Sequence, residues 1–352
     1  NGFTRSTEAA VHELKRFLIG VDPFDTEQIV LHLTRDVYSD GGQIHRCAVA
    51  AIEIACLDIK GQALGVPVYQ LLGGRVRDRV HAYANGWYRC DRTPEAFAQA
   101  AQQVVSRGYR ALKFDPFGAA HLAMPKPEED LSIAIVAAVR EAVGPEVELM
   151  IEAHCRFSVG SAIKIGRRLE PFGITWYEEP CPHHRIQDTI EVARAVPVPV
   201  ASGESLHSKE AFLDLISHRV VAVYQPEPLN LGGLTIARQV CAMAEAAGGV
   251  VAPHNAQGPI STLACLHLAA SCPNLLIQEF FSDFNMPWER RLVDWHPVLD
   301  ADGMLPLPQR PGLGARLNLD EAARHPARES GLLSLFREGW QRREGEPSSA
   351  AD

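Results

Sequence analysis

A chain of 352 residues with 46% hydrophobic content has the size and composition of one large globular unit with an appendage. Its formal charge of −9 gives no electrostatic reason to bind nucleic acid, and no apolar run approaches the ~20 residues that cross a bilayer. Eight scattered cysteines form no CxxC pair, and the opening NGFTRSTEAAVHEL has no basic-then-apolar signal region, so reduced thiols in the cytoplasm are expected rather than a disulfide framework.

Residues 8–72 read as helical. CAVAAIEIACLDIKGQAL spreads apolar residues over a broad helical face, and GVPVYQLLGG closes it with Gly73 and Gly74. Residues 1–78 are therefore expected to be the helical part of a cap domain, with any cap strands lying before residue 1. From about residue 79 the pattern alternates. Short β-rich runs fall at 80–84, 110–114, 147–151, 174–177, 198–202, 219–224, 249–252 and 275–278. Amphipathic segments such as PEAFAQAAQQVVSRG and LSIAIVAAVREAVG separate them. Eight strands alternating with helices predict a closed parallel barrel over 79–280. An open doubly wound sheet would carry a Gly-rich phosphate loop after its first strand, and none is present there. Residues 281–320 are rich in Pro, Gly and Trp; 281–352 are expected to return to the cap and to end in a disordered tail, GEPSSAAD.

Three acidic residues each close an apolar run: Glu152 after VELMI, Glu178 after ITWY and Glu204 after VPVASG. They are spaced 26 residues apart, about one βα unit. Such a step carries a residue type to the C-terminal mouth of successive barrel strands, where barrel active sites sit. Three carboxylates converging there repel one another unless a hard divalent cation such as Mg²⁺ holds them. The other strand ends are polar as well: Lys113 and Asp115, His154, Glu179, Glu227, His254 and Glu279. Barrel packing alone does not require such a row at the C-terminal ends. Trp87, Tyr88, Arg156, His183 and His207 lie just past strand ends, within possible reach of substrate.

With these residues in view, the chain resembles the mandelate racemase subgroup of the enolase superfamily, and within it the galactonate-dehydratase-like acid-sugar dehydratases. The motifs that carry the resemblance are AIEIACLDIKGQALGVPVYQLLGG in the cap, KFD at Lys113, EEP at Glu178 and GE at Glu204. They continue as QPEPLNLGG around Glu227, PHN at His254, QEF at Glu279 and the closing PGLG. The resemblance implies an α/β fold, a modified (β/α)7β TIM barrel with an α+β cap. It implies Mg²⁺ on Glu152, Glu178 and Glu204, where the first position is more often Asp. It makes His254 the base and Glu227, usually Asp, the acid that pairs with it. His154 is the acid that protonates a departing hydroxyl, Lys113 stabilises the enolate, and Glu279 hydrogen-bonds the enolate or another substrate group. Asp115 and Arg156 are expected to bind substrate.

The implied reaction is loss of water from an acid sugar to give a 2-keto-3-deoxy acid. The expected partner is thus a small carboxylate, with no nucleic acid and no membrane, in a homo-oligomer. Two further readings stand beside it: a racemase, epimerase or cycloisomerase using Lys113 as second base, and a non-catalytic barrel that binds an acid ligand.

Overall fold

The structure, a computed structural model, describes residues 3–38, 41–327 and 334–343. Four helices precede the barrel: α1 (Thr4–Leu14), α2 (Thr26–Thr34), α3 (Gly42–Leu64) and α4 (Val68–Leu71). Helix α3 is buried on two sides. Ala48, Val49, Ile52 and Cys56 pack against Leu14, Ile29, Val30 and Leu33 of α1 and α2. Ile54 and Leu57, on another face of the same helix, join a cluster that includes Leu231 and Leu234 from the barrel. A helix packed on both sides carries apolar residues around most of its circumference, which is the pattern read from its sequence.

Eight parallel strands follow: β1 (Arg79–Ala84), β2 (Ala111–Phe114), β3 (Glu148–Glu152), β4 (Trp176–Glu178), β5 (Val200–Ser202), β6 (Val223–Tyr224), β7 (Val250–Val251) and β8 (Gln278–Phe280). Between them lie α5 (Pro94–Ser106), α6 (Lys126–Val143), α7 (Val159–Leu169), α8 (Ile186–Ala195), α9 (Lys209–Ser217), α10 (Pro228–Leu231), α11 (Leu234–Ala246) and α12 (Pro259–Ser271). The ladder runs β7-β6-β5-β4-β3-β2-β1-β8. Its ends meet: the Val251 N–H donates to Asn274 O at 3.0 Å, and the Leu276 N–H donates to Val251 O at 2.8 Å. The expected barrel is therefore present. The eighth strand begins at Gln278, not at 275, because Leu275 is spent on the closing bridge to Val251 and only 278–280 pair with β1. A short strand β9 (Met304–Pro306) pairs antiparallel with the start of β1.

The barrel interior is one layer, a residue from each strand position in turn: Tyr83, Ala111, Met150, Trp176, Ala201, Val223, Ala252 and Ile277. The alanines leave room for the Trp176 indole, which Tyr83 meets edge-on at 5.5 Å. Strand residues of opposite parity, such as Leu112, Phe114, Leu149, Ile151 and Tyr177, pack outward under the helices.

After β9 the chain comes back to α3. Gly312 bridges Pro67, and the Leu313 N–H donates to Asp58 Oδ1 at 2.7 Å. It continues through α13 (Leu319–Arg324), and 334–343 then lie beside the loops after β1, β2 and β3. The tail expected to be disordered, 345–352, lies outside the described residues. All eight cysteines are free, and no described helix is long and apolar enough to cross a membrane.

Candidate active site

The interior layer dictates the floor of the site. Two residues further along a strand, a side chain returns to the same face. From Ala111, Met150, Trp176 and Ile277 that step leads to Lys113, Glu152, Glu178 and Glu279. All four are buried at the C-terminal mouth. Lys113 Nζ stands 3.2 Å from Glu152 Oε2, 3.0 Å from Glu279 Oε1, and in contact with Glu178 Oε1. The Trp176 indole N–H donates to the other Glu178 oxygen at 2.7 Å. Burial opposes a charge on Lys113, but Glu178 and Glu279 outweigh it and hold the ammonium well above its usual range.

Glu152, Glu178 and Glu204 bring one oxygen each to within 4.8 Å of one another. One ammonium does not neutralise this group. Burial, then Glu152, pushes the Glu178 carboxyl up to about 8. Burial also carries Glu204 to about 7, against the opposing pull of His254. Glu152 Oε2 has no hydrogen-bond partner among the described residues. Two buried carboxylates and a half-buried one, all hard donors with a single ammonium among them, fit an oxygen-coordinated divalent cation and not a thiolate-seeking metal.

His254, past the end of β7, sits between acids. Its Nδ1 is 2.8 Å from Glu227 Oε2, and its Nε2 is 3.3 Å from Glu204 and 3.7 Å from Glu279. Burial works against its charge, yet Glu204 and Glu279 prevail and push it up to about 10. Glu279 is itself pulled down to about 2: burial resists, but Lys113, His254 and the Asn255 N–H at 2.7 Å prevail. The Asn85 amide donates to its other oxygen at 2.7 Å.

A second histidine–carboxylate pair stands past β3. His154 and Cys155 adopt φ of 46° and 58°, unusual for non-glycine residues and a mark of a constrained turn. This turn lets the His154 N–H donate to Glu152 Oε1 at 2.6 Å. His154 Nδ1 then meets Asp115 Oδ2 at 2.6 Å, which leaves Nε2 with no protein partner among the described residues. Asp115 also accepts from Arg156 Nη2 at 2.7 Å and from the Phe117 N–H at 2.8 Å.

The ten sequence-predicted residues thus gather in two linked groups. One holds Lys113, Glu152, Glu178, Glu204, Glu227, His254 and Glu279. The other holds Asp115, His154 and Arg156. The Asp115 and Arg156 side chains differ from expectation: both have 0% exposure and are spent on each other, on His154 and on Leu335 O, so they face protein where substrate contact was expected. Trp87 and Tyr88 are buried too, the Trp87 indole donating to Lys113 O at 2.9 Å.

Sequence reading missed the roles of Asn85, Trp176 and Trp340. Asn85 obeys the same two-residue step from Tyr83 and was findable by it. Trp340, whose ring meets His154 edge-on at 5.6 Å, comes from far along the chain and left no local signal.

Comparison with known proteins identifies the family. Residues 96–322 match the family described as enolase C-terminal domain-like, and residues 1–73 match the mandelate racemase/muconate lactonizing enzyme N-terminal domain. The chain is 37% identical over 311 residues to a protein of Thermoproteus tenax named D-gluconate dehydratase, covering 88% of this chain and 62% of that one. It is 38% identical over 267 residues to a D-gluconate/D-galactonate dehydratase of Picrophilus torridus, covering 76% and 68%. A solved mandelate racemase/muconate lactonizing enzyme from Sulfitobacter sp. superposes with a TM-score of 0.86 at 31% identity, over 95% of this chain and 86% of that one. The chain therefore belongs to the enolase superfamily, in its mandelate racemase/muconate lactonizing enzyme branch.

Proposed function

We propose that this chain is a Mg²⁺-dependent acid-sugar dehydratase, which removes water from an aldonate or aldarate to give a 2-keto-3-deoxy acid. The observation that carries this reading is the pair of histidine–carboxylate dyads flanking the triad, His254 with Glu227 and His154 with Asp115. β3 and β7 are four places apart in the ring of strands, so the two imidazoles enter the mouth from opposite sides. The names of the two dehydratase relatives support the same reaction class.

Glu152, Glu178 and Glu204 would hold Mg²⁺, which would supply positive charge against that building on the substrate carboxylate as its α-proton leaves. His254 takes that proton on Nε2, while Glu227 at Nδ1 fixes the tautomer. Lys113 lies against the developing negative charge. His154 gives its Nε2 proton to the departing 3-hydroxyl, its ring held from Nδ1 by Asp115. The enol left behind tautomerises to the keto acid.

A racemase needs a second base. Lys113 is packed among Glu152, Glu178 and Glu279 at the floor of the site, and Asp115 stands where a second lysine would sit. The test is purified protein with Mg²⁺ against D-gluconate, D-galactonate and a wider set of aldonates and aldarates. At least one should give a 2-keto acid. No product from any would overturn the reading, and α-deuterium in recovered substrate without keto acid would favour the racemase.

A further inference from the structure

We propose that the C-terminal segment 334–343 completes the acid half of the site, with Trp340 as a positioning residue for His154. The idea rests on His154 being the acid of the dehydratase reading. The segment lies beyond the family match, which ends at residue 322.

Trp340 is 7% exposed, and its indole N–H donates to Gly118 O at 2.9 Å, which fixes the plane of the ring. That ring meets the His154 imidazole edge-on, with an interplanar angle of 88°, and meets Tyr88 at 84°. The Arg156 guanidinium lies against both the Trp340 and Phe336 rings, 5.3 and 5.6 Å from their centres. Arg156 Nη1 donates to Leu335 O at 2.8 Å, while Nη2 holds Asp115. One short segment therefore fixes His154 twice: directly through Trp340, and through Arg156 and Asp115 at Nδ1. The segment is anchored at Gln341, whose amide donates to Cys90 O at 3.2 Å, and at Arg342, paired with Asp91 at 3.1 Å. On the other side of the mouth, His254 is held by Glu227, Glu204 and Glu279, none of them from this segment.

The arrangement makes departure of the hydroxyl depend on the C-terminal segment, while abstraction of the α-proton does not. Trp340→Ala, Trp340→Phe and Phe336→Ala test it, with two readouts. The first is the ¹⁵N imidazole spectrum with Mg²⁺ present, His154 being assigned by its absence in His154→Asn. Trp340→Ala should displace or broaden the His154 signals and leave those of His254 in place. Phe336→Ala, which removes a ring that is 54% exposed and so spares the fold, should displace the same signals less.

The second readout uses D-gluconate in deuterated water. Trp340→Ala should slow keto-acid formation by about tenfold to a hundredfold, the cost of a misplaced reacting group. It should leave α-deuterium exchange within about twofold, and Trp340→Phe, which keeps a ring but loses the bond to Gly118 O, should slow keto-acid formation less than Trp340→Ala does. Unmoved His154 signals in both Trp340→Ala and Phe336→Ala, or equal loss of exchange and elimination, would overturn the proposal. A wild-type protein that makes no keto acid from D-gluconate or from any other aldonate or aldarate sinks the dehydratase reading alone, since the imidazole signals still decide the role of Trp340.

Discussion

Glu152 and Glu227 are each one methylene longer than the aspartate that the family resemblance leads one to expect, and both side chains make two contacts. Glu227 spans from His254 Nδ1 at 2.8 Å to the Leu229 N–H at 3.1 Å, so it caps α10 while it orients the imidazole. Glu152 accepts the His154 N–H on one oxygen, and its other oxygen lies 3.2 Å from Lys113 Nζ within the triad. Glu152→Gln should therefore weaken Mg²⁺ binding by about ten- to a hundredfold, read by titration of the metal-free protein. Unchanged affinity would move the first ligand elsewhere. The two histidines separate by a different measurement. His254→Asn should abolish both α-deuterium exchange and keto-acid formation, each by about 10² or more, whereas His154→Asn should lose only the second. Loss of exchange in His154→Asn would remove the division of labour between them. Most of these residues were legible in the sequence because strand parity is a local rule, and one period of two carries Ala111 to Lys113 and Trp176 to Glu178. The destination of Arg156 was not legible. A long side chain just past a strand can point to solvent, substrate or protein, and here the choice was made by Leu335, 179 residues away.

Helices α3 and α11 meet through one buried acid. Glu53 on α3 is 1% exposed and accepts the Leu234 N–H and Thr235 N–H, both at 3.0 Å, and the Thr235 hydroxyl at 2.6 Å. These are the free N–H groups at the start of α11, where a carboxylate also meets the positive end of the helix. Burial still raises the Glu53 carboxyl, the helix-end donors only partly offsetting it. Gly233 lies just before α11 with φ of 134°, and a Cβ there would stand 2.5 Å from Glu53 Oε2. The Gly-Gly of QPEPLNLGG is thus the clearance that lets the cap acid reach the barrel helix. Glu53→Ala should cost about 2–3 kcal/mol through the orphaned donors, and Glu53→Gln about half that, measured as shifts in the urea midpoint. A neutral Glu53→Ala would mean that water replaces the carboxylate without loss. At this scale the sequence was readable wherever an element had its own period, as in α3 and the barrel helices. It misplaced β8, because the apolar run before Gln278 serves closure and interior packing before regular pairing begins. It expected 334–343 to return to the cap with the rest of 281–352, whereas these residues lie against the loops after β1, β2 and β3.

The whole molecule carries its charge problem in the barrel mouth, and this ties its stability to pH and to metal. The folded chain holds protons on Glu178 and Glu204 up to about 8 and 7, against 4.5 for an ordinary glutamate. The metal-free fold is therefore favoured in acid, and that advantage is lost as the pH climbs from 4.5 through 7 and 8. His254 acts in the same sense from 6.5 upward, since its folded value is about 10. Glu279, held at about 2, acts in the opposite sense below 4.5, and His267, pushed down to about 4 by burial, opposes the trend between about 4 and 6.5 but leaves the range above 6.5 untouched. A divalent cation on the triad replaces the protons, so it should stabilise the fold most where the protons are lost. Melting temperatures with Mg²⁺ and with EDTA should nearly coincide at about pH 5 and separate by about 5 °C or more at about pH 8. Glu152→Gln, with the first ligand weakened, should narrow that gap without lowering the Tm in EDTA, because it removes a buried charge that repels its neighbours. A gap that is constant with pH, or widest in acid, would mean that the cation binds away from the three glutamates.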